Sequence, residues 1–275
     1  MKSKHLLIPF FALTLSSCGA KNNLPFVYKN GDLFALNELT YENSFVDISF
    51  EQFDNYVKSE QEFVLYLTSQ ECSHCYEFKD KIFDFVKEKK AKVMRLEIFD
   101  TSGDVSVYTE TFKKILNSYS DLLFINGNVL TPQIYIVKGE QFADKIPNSR
   151  YSTSLMFKNA FNDYANIANV YSFTSFEAYQ KFTETNNDYV TFAFDYANKG
   201  ATNIYNAQIK NKIKTAKKTV AIFEISESNK ADFESFYDVS LNQYPFAINV
   251  NNNNETKYNF TNDIAQNTQF MDDSL

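Results

Sequence analysis

The apolar run Phe63-Val64-Leu65-Tyr66-Leu67-Thr68 leads within four residues to Cys72-Ser73-His74-Cys75, after which Phe78, Ile82, Phe85 and Val86 recur at spacings of three and four. The first stretch, β-branched and aromatic, reads as a buried strand; the second reads as an amphipathic helix. A chain that passes from a buried strand straight into a helix at a cysteine pair is directed to an α/β class. The placement also has a chemical meaning. Unpaired N–H groups and the macrodipole at a helix start favour a thiolate at Cys72, while Cys75, one turn in, is more buried and keeps its proton longer. The i, i+3 spacing puts both sulfurs on one face, within reach of each other.

Two other uses of the pair stay open. A structural staple closing so short a loop contributes only about 2 kcal/mol by chain entropy, against about 4–5 kcal/mol for a long loop. A tetrahedral zinc site wants four Cys or His ligands, and beyond this motif the sequence has only Cys18 and His5, so zinc would need a site shared between two chains. Composition removes another class. Net charge is −7, and only Arg95 and Arg150 are arginines, so a basic face for a nucleic-acid backbone is not expected. No cofactor or metal is called for.

Residues 1–18 read MKSKHLLIPFFALTLSSC, a basic start, an apolar stretch and small residues, the pattern of a secretory signal. Leu15-Ser16-Ser17-Cys18 resembles the bacterial lipobox, which implies lipidation of Cys18 after removal of residues 1–17. An ordinary secretory signal with an incidental cysteine is the alternative. Loss of Lys2 and Lys4 takes the charge from −7 to −9, so attraction to anionic head groups would not hold the chain; the lipid would. Residues 18–42, rich in Asn and Lys, are expected to form a tether reaching about 75 Å when extended. The expected location is the extracytoplasmic face of the cell membrane.

The strand, CxxC and helix resemble the thioredoxin superfamily, as does Thr131-Pro132 before the strand-like Gln133-Ile134-Tyr135-Ile136-Val137. The resemblance covers about residues 44–168 and implies a thioredoxin-like fold. It implies a cis proline lying against the CxxC, with Thr131 and Pro132 holding an extended substrate. His74 before the second cysteine resembles disulfide isomerases and extracytoplasmic disulfide oxidases, in which that imidazole favours the thiolate and makes the disulfide more oxidising. Three departures stand out. Glu71 replaces the family's tryptophan, and Tyr66 stands where many members carry a buried acid that relays a proton. Cys72 and Pro132 are 60 residues apart, which implies an insertion between Ile98 and Thr131. The stripe Tyr108, Phe112, Ile115, Leu116, Tyr119 in that insertion reads as core packing or as a lid beside the site.

The order of elements then begins again. Thr174-Ser175-Phe176-Glu177 repeats the helix start of Ser49-Phe50-Glu51-Gln52, and Tyr189-Val190-Thr191-Phe192 repeats the buried strand. At the same offset Cys72 and Cys75 fall on Asn198 and Ala201, and Tyr244-Pro245 stands where Thr131-Pro132 stood. The expectation is two tandem thioredoxin-like domains, residues 43–169 with the CxxC and residues 170–275 without it. One α/β domain with an irregular C-terminal domain is the alternative. Tyr244 and Pro245 read as a structural turn or as part of a peptide groove. The function implied is thiol–disulfide exchange in exported cysteine-containing proteins through Cys72, Cys75 and His74, with an unidentified electron partner. A non-catalytic lipoprotein that uses these folds for binding is the other class.

Overall fold

The computed structural model describes residues 24–69, 72–98, 110–120, 124–125, 128–129, 131–139, 141–145, 154–242 and 245–275. The signal segment, Cys18, Glu71, Tyr108 and Tyr244 lie outside the described residues. The chain begins with β1 (Phe26–Asn30) and a 3-10 turn (Gly31–Ala35). The first unit follows as β2 (Val46–Asp47), α1 (Phe50–Lys58), β3 (Glu62–Thr68), α2 (Ser73–Lys89), β4 (Val93–Glu97) and α3 (Glu110–Ser118). A two-stranded ladder of β5 (Phe124–Ile125) and β6 (Asn128–Val129) comes next, then β7 (Gln133–Lys138), β8 (Gln141–Lys145) and α4 (Ser154–Tyr164).

Local chemistry sets these elements. Ser49 and Gln52 make both arms of a capping box that starts α1. All seven residues of β3 are buried, which is why it reads as a continuous apolar run and not as an alternation: it is the central strand, covered on both faces. Its α2-facing side chains, Val64 and Tyr66, share a core with Phe78, Ile82, Phe85 and Val86. Its other side chains, Phe63, Leu65 and Leu67, pack with Phe53 and Val57 of α1 and with Phe112 and Ile115 of α3. The strand order is β2-β4-β3-β7-β8, with β2, β4 and β3 parallel and β7 and β8 antiparallel to their neighbours. That is the thioredoxin-like arrangement.

The second unit repeats it. It runs β9 (Asn166–Phe173), α5 (Phe176–Thr185), β10 (Asp188–Phe194), α6 (Lys199–Ile204), a π-helical turn (Tyr205–Ile209), α7 (Lys210–Ile213), β11 (Thr219–Glu224), α8 (Lys230–Tyr237), β12 (Phe246–Asn251), β13 (Asn254–Asn259) and α9 (Ile264–Ser274). Its order, β9-β11-β10-β12-β13, is that of the first sheet position for position. Asn252 and Asn253, both at positive φ, close the β12–β13 hairpin as a two-residue turn that matches strand twist. The chain therefore holds two thioredoxin-like folds, as the repeat of elements implied.

Two expectations need correction. First, the described part of the expected tether, residues 24–42, is not free, because β1 adds to the edge of the second sheet, parallel to β9. It is also the seam between the units: Val27 is buried in the first unit's core and Tyr28 in the second's. The Lys92 amide donates to the Tyr28 carbonyl at 2.8 Å, and the Asn30 amide to the Lys90 carbonyl at 2.7 Å. Gly31 comes so close to the Phe173 ring that a Cβ would meet it at 2.5 Å. Second, the boundary at 169 falls inside β9, since α4 ends at Tyr164 and β9 begins at Asn166. Ala168, although it stands at helical spacing from Phe161 and Tyr164, is a buried strand residue. Of the stripe Tyr108 to Tyr119, Phe112 and Ile115 belong to the core on the sheet face away from α2, which is the packing reading.

A buried polar cluster fixes the seam. Lys92 and Glu224, with side chains 4% and 9% exposed, form an ion pair across the units. Tyr56 donates to the other Glu224 oxygen at 2.6 Å and Ser172 to the first at 2.5 Å, while Lys92 donates to Ser172 at 2.9 Å. Glu62 accepts the Phe26 amide at 2.6 Å and pairs with Lys210 at 3.0 Å. Burial opposes ionisation of Glu62, yet Lys210 and that amide hold its carboxyl below the usual range. Removing one member of a buried pair strands the other charge. Lys92→Met is therefore expected to cost about 3–5 kcal/mol in denaturant unfolding. Lys92→Met combined with Glu224→Leu should cost less than Lys92→Met alone; strictly additive losses would contradict a coupled pair.

Candidate active site

The register of the central strands assembles the site. Leu67 of β3 lies opposite Gln133 of β7, so the residues just before Gln133 meet the chain just after β3. There Cys72 is the N-cap of α2, in extended backbone (φ −86°, ψ 109°), and its Sγ accepts the Cys75 amide at 3.0 Å. The Thr131 carbonyl oxygen lies 3.2 Å from the same sulfur, although the two residues are 59 positions apart. Thr131-Pro132 is cis and Pro132 is buried. Cys72 and Cys75 form a disulfide with Cα atoms 5.1 Å apart.

The two sulfurs are not equivalent. Cys75 is 5% exposed and belongs to the buried face of α2, whereas Cys72 is half-buried at the helix start. A Cys72 thiolate would receive the Cys75 N–H and the positive end of the helix dipole. Tyr76, directly after Cys75, is 80% exposed beside the pair. His74 Nδ1 lies 3.7 Å from Glu77 Oε2, on the next turn of α2. Tyr66 sits beneath, fully buried, with its hydroxyl 3.1 Å from that of Tyr41 and accepting from Thr68 at 3.2 Å. Burial and the neighbouring Tyr41 push its phenol far above the ordinary value. Tyr66 therefore stays protonated and does not replace a carboxylate as proton acceptor.

Sequence reading missed a polar cavity of about 420 Å³ beside Cys75. Its walls include Tyr41, Thr68, Tyr76, Lys79, Arg95 and Glu97. Arg95 engages Asp47 through two nitrogens, at 2.5 and 2.8 Å, and Lys79 pairs with Glu42 at 2.8 Å. The available signal was the alternation of β4, where Arg95 and Glu97 interrupt apolar positions on the face that Val93 buries under α2. Among the described residues no group of three or more His, Cys, Asp or Glu side chains is placed to hold a metal ion.

The second unit keeps the scaffold of this site and loses its chemistry. Asn198 caps α6 with φ −82° and ψ 109°, and its Oδ1 accepts the Ala201 amide at 3.1 Å. An amide oxygen thus performs the capping that sulfur performs at Cys72, at the position the repeat assigns. Pro245 precedes β12, and its carbonyl accepts the Phe260 amide at 3.0 Å, the role of a structural turn.

No family model matches the chain, and no curated protein matches it. Among solved structures it is similar to the bb fragment of ERp72, at 12% identity over 82% of this chain and 94% of that one, with a TM-score of 0.34. It is similar to oxidised thioredoxin O1 from Arabidopsis thaliana, at 20% identity over 44% of this chain and 98% of that one, with a TM-score of 0.31. A third is the J-Trx1 fragment of ERdj5, at 18% identity over 44% of this chain, with a TM-score of 0.30. The chain spans 50% of that fragment's length and 29% of full-length ERdj5. At such scores these likenesses add no weight to the strand order, which carries the fold assignment.

The unequal burial of the sulfurs sets an order of reaction. In the reduced protein, limiting iodoacetamide is expected to label Cys72 at least about tenfold faster than Cys75, read by peptide mass spectrometry. Equal labelling would contradict the geometry.

Proposed function

We propose that this chain is a thiol–disulfide oxidoreductase acting on exported cysteine-containing proteins, anchored at the extracytoplasmic face of the membrane by lipid on Cys18. The observation that carries the reading is the position of Cys72 Sγ, between an α2 amide and the Thr131 carbonyl, with Cys75 buried behind it. In the reduced protein the Cys72 thiolate attacks a partner disulfide. A Cys72–partner bond forms, the partner's own S–S bond breaks, and one partner sulfur leaves as a thiolate. Cys75 then attacks Cys72 Sγ, closing the intramolecular disulfide and releasing the second partner sulfur. The reverse sequence, starting from the disulfide, oxidises a dithiol partner. Thr131 offers its backbone groups to an extended partner segment, and Pro132 keeps that edge open beside Cys72. His74, in the first turn of α2 between the two cysteines, biases the potential. An electron partner resets the pair after each cycle, and its potential fixes the direction.

The seam found for β1 changes the proposed anchoring. Only residues 19–25 separate Cys18 from β1, a span of about 30 Å at full extension, so the body stays near the lipid surface. Two measurements test the two parts of the proposal. Protein starting after Cys18 is expected to reduce insulin with dithiothreitol as electron source, and Cys72→Ala should lower the rate to the uncatalysed level. Activity untouched by that change, or none in the native sequence, would remove the oxidoreductase and leave a binding role for the folds. Separately, the full chain expressed in a lipidating bacterium is expected in the detergent phase, and Cys18→Ala in the aqueous phase. Detergent partitioning unchanged by Cys18→Ala would remove the lipid anchor.

A further inference from the structure

The net charge of −7 conceals how the lysines are distributed. At the end of α2 remote from the cysteines lies an open cavity of about 560 Å³, whose walls include Lys29, Glu88, Lys89, Lys90, Asn166 and Tyr171. Three elements bring positive charge to it. Lys29 comes from β1, where its Nζ donates to Asn169 Oδ1 at 3.0 Å and stands 5.2 Å from the centre of the Tyr171 ring. Lys89 and Lys90 close α2. Lys158 reaches over from α4, and it and Lys89 converge on one Glu88 oxygen, at 2.6 and 3.3 Å. Glu88 is thus shared between two cations, while Lys29 and Lys90 add two more. Lysines at a helix C-terminus complement the macrodipole. That accounts for Lys89 and Lys90 but not for Lys29 and Lys158, which sit on other elements. Backbone bonds fix the corner where the cluster meets: Lys90, at φ 52°, donates its amide to the Val86 carbonyl, and its own carbonyl accepts the Asn30 amide, both at 2.7 Å.

We infer that this lysine-lined face docks on the head groups of anionic phospholipids in the membrane that holds Cys18, so that the body stands on the bilayer at the base of α2. The inference rests on the lipid-anchored reading and goes beyond it, because an anchor alone leaves the body free to turn. The entry point of the anchoring segment selects this occupant. The Pro25 carbonyl accepts the amide of Asn166, a residue of the cavity wall, at 2.9 Å. Pro25 is seven positions from Cys18, about 25 Å at full extension, so the lysines are held within reach of the surface that carries the lipid. Charge supplies the attraction: ammonium groups bind phosphate oxygens as point charges, and each lysine close to an anionic surface strengthens binding about fivefold. The acids that make the chain negative overall act from farther away, and salt screens them beyond about 8–10 Å. Between this face and Cys72 runs α2, 17 residues and about 25 Å long. Docking therefore turns the thiols away from the lipid and toward exported proteins in the aqueous space.

Sedimentation with sucrose-loaded vesicles tests the docking without the anchor, using protein that starts after Cys18 and so keeps every described residue. It is expected to bind vesicles of phosphatidylglycerol and phosphatidylcholine mixed at about one to two, in about 50 mM salt, and to leave them in about 0.5 M salt. Vesicles of phosphatidylcholine alone should not hold it. Lys89→Gln with Lys90→Gln is expected to lower the partition coefficient about twentyfold, and Lys29→Gln with Lys158→Gln, on two other elements, by a similar factor. Lys113→Gln with Lys114→Gln removes the same charge from α3, on the opposite sheet face, and should change binding less than about twofold. Thermal unfolding midpoints check that the variants fold, and either cavity pair serves if the other does not. Equal losses from all three pairs would reduce the effect to net charge and overturn the docking face. Native protein left in the supernatant would overturn it too, and binding of inorganic phosphate in calorimetry without binding to vesicles would assign the lysines to a soluble anion instead. Because the protein assayed lacks Cys18, these outcomes are independent of detergent partitioning, and the docking face and the lipid anchor fail separately.

Discussion

Burial of β3 on both faces is the constraint from which the site follows. Because all seven of its side chains are enclosed, the strand has helices on both sides, and its end must hand the chain directly to α2. The cysteine pair therefore falls at a helix start, where a sulfur can serve as cap. The antiparallel register with β7 then fixes which distant residues arrive there, and it delivers Thr131 to Cys72. Shifting that register by one residue would turn every β7 side chain to the other face. The chemistry is thus a property of strand pairing as much as of two thiols.

The second unit shows what the same scaffold does without sulfur. Asn198 reproduces the backbone angles and the cap of Cys72 with an amide oxygen, so the local geometry is a requirement of the helix start and not of redox chemistry. Freed from a reacting partner, this end of the second unit turns to the first. Asn206, in the π-helical turn, donates to the Ser59 carbonyl at 3.0 Å, and the Tyr196 and Tyr56 rings pack 5.6 Å apart. With β1 and the Lys92–Glu224 cluster, these contacts join the two sheets through polar groups that demand exact partners, which fixes their relative placement.

Much of this was legible in the sequence because it rests on local pattern. The apolar run of β3, the spacing of α2 and the Ser49–Gln52 capping box each lie within a short stretch of chain, and the offset that carries Cys72 onto Asn198 is seen by repeating those local patterns 126 residues on. What escaped notice depends on distant pairing. Phe26-Val27-Tyr28-Lys29-Asn30 is too short and too mixed to announce a strand, and its partner β9 lies about 140 residues away. Ala168 fitted a helical spacing by chance, and burial against β11 overrode it. The cavity around Glu97 arises where two strands and a helix converge, so single-strand patterns offered only the interruption of β4 by charge.

The central claim is that the sulfurs have separate tasks, Cys72 joining the partner and Cys75 releasing it. The most direct measurement is covalent trapping in cells: acid-quenched extracts of Cys75→Ala and Cys72→Ala strains resolved on non-reducing and then reducing gels. The account expects Cys75→Ala to hold exported proteins through a Cys72 disulfide, with none held by Cys72→Ala. Partners trapped equally by both variants, or only through Cys75, would contradict it.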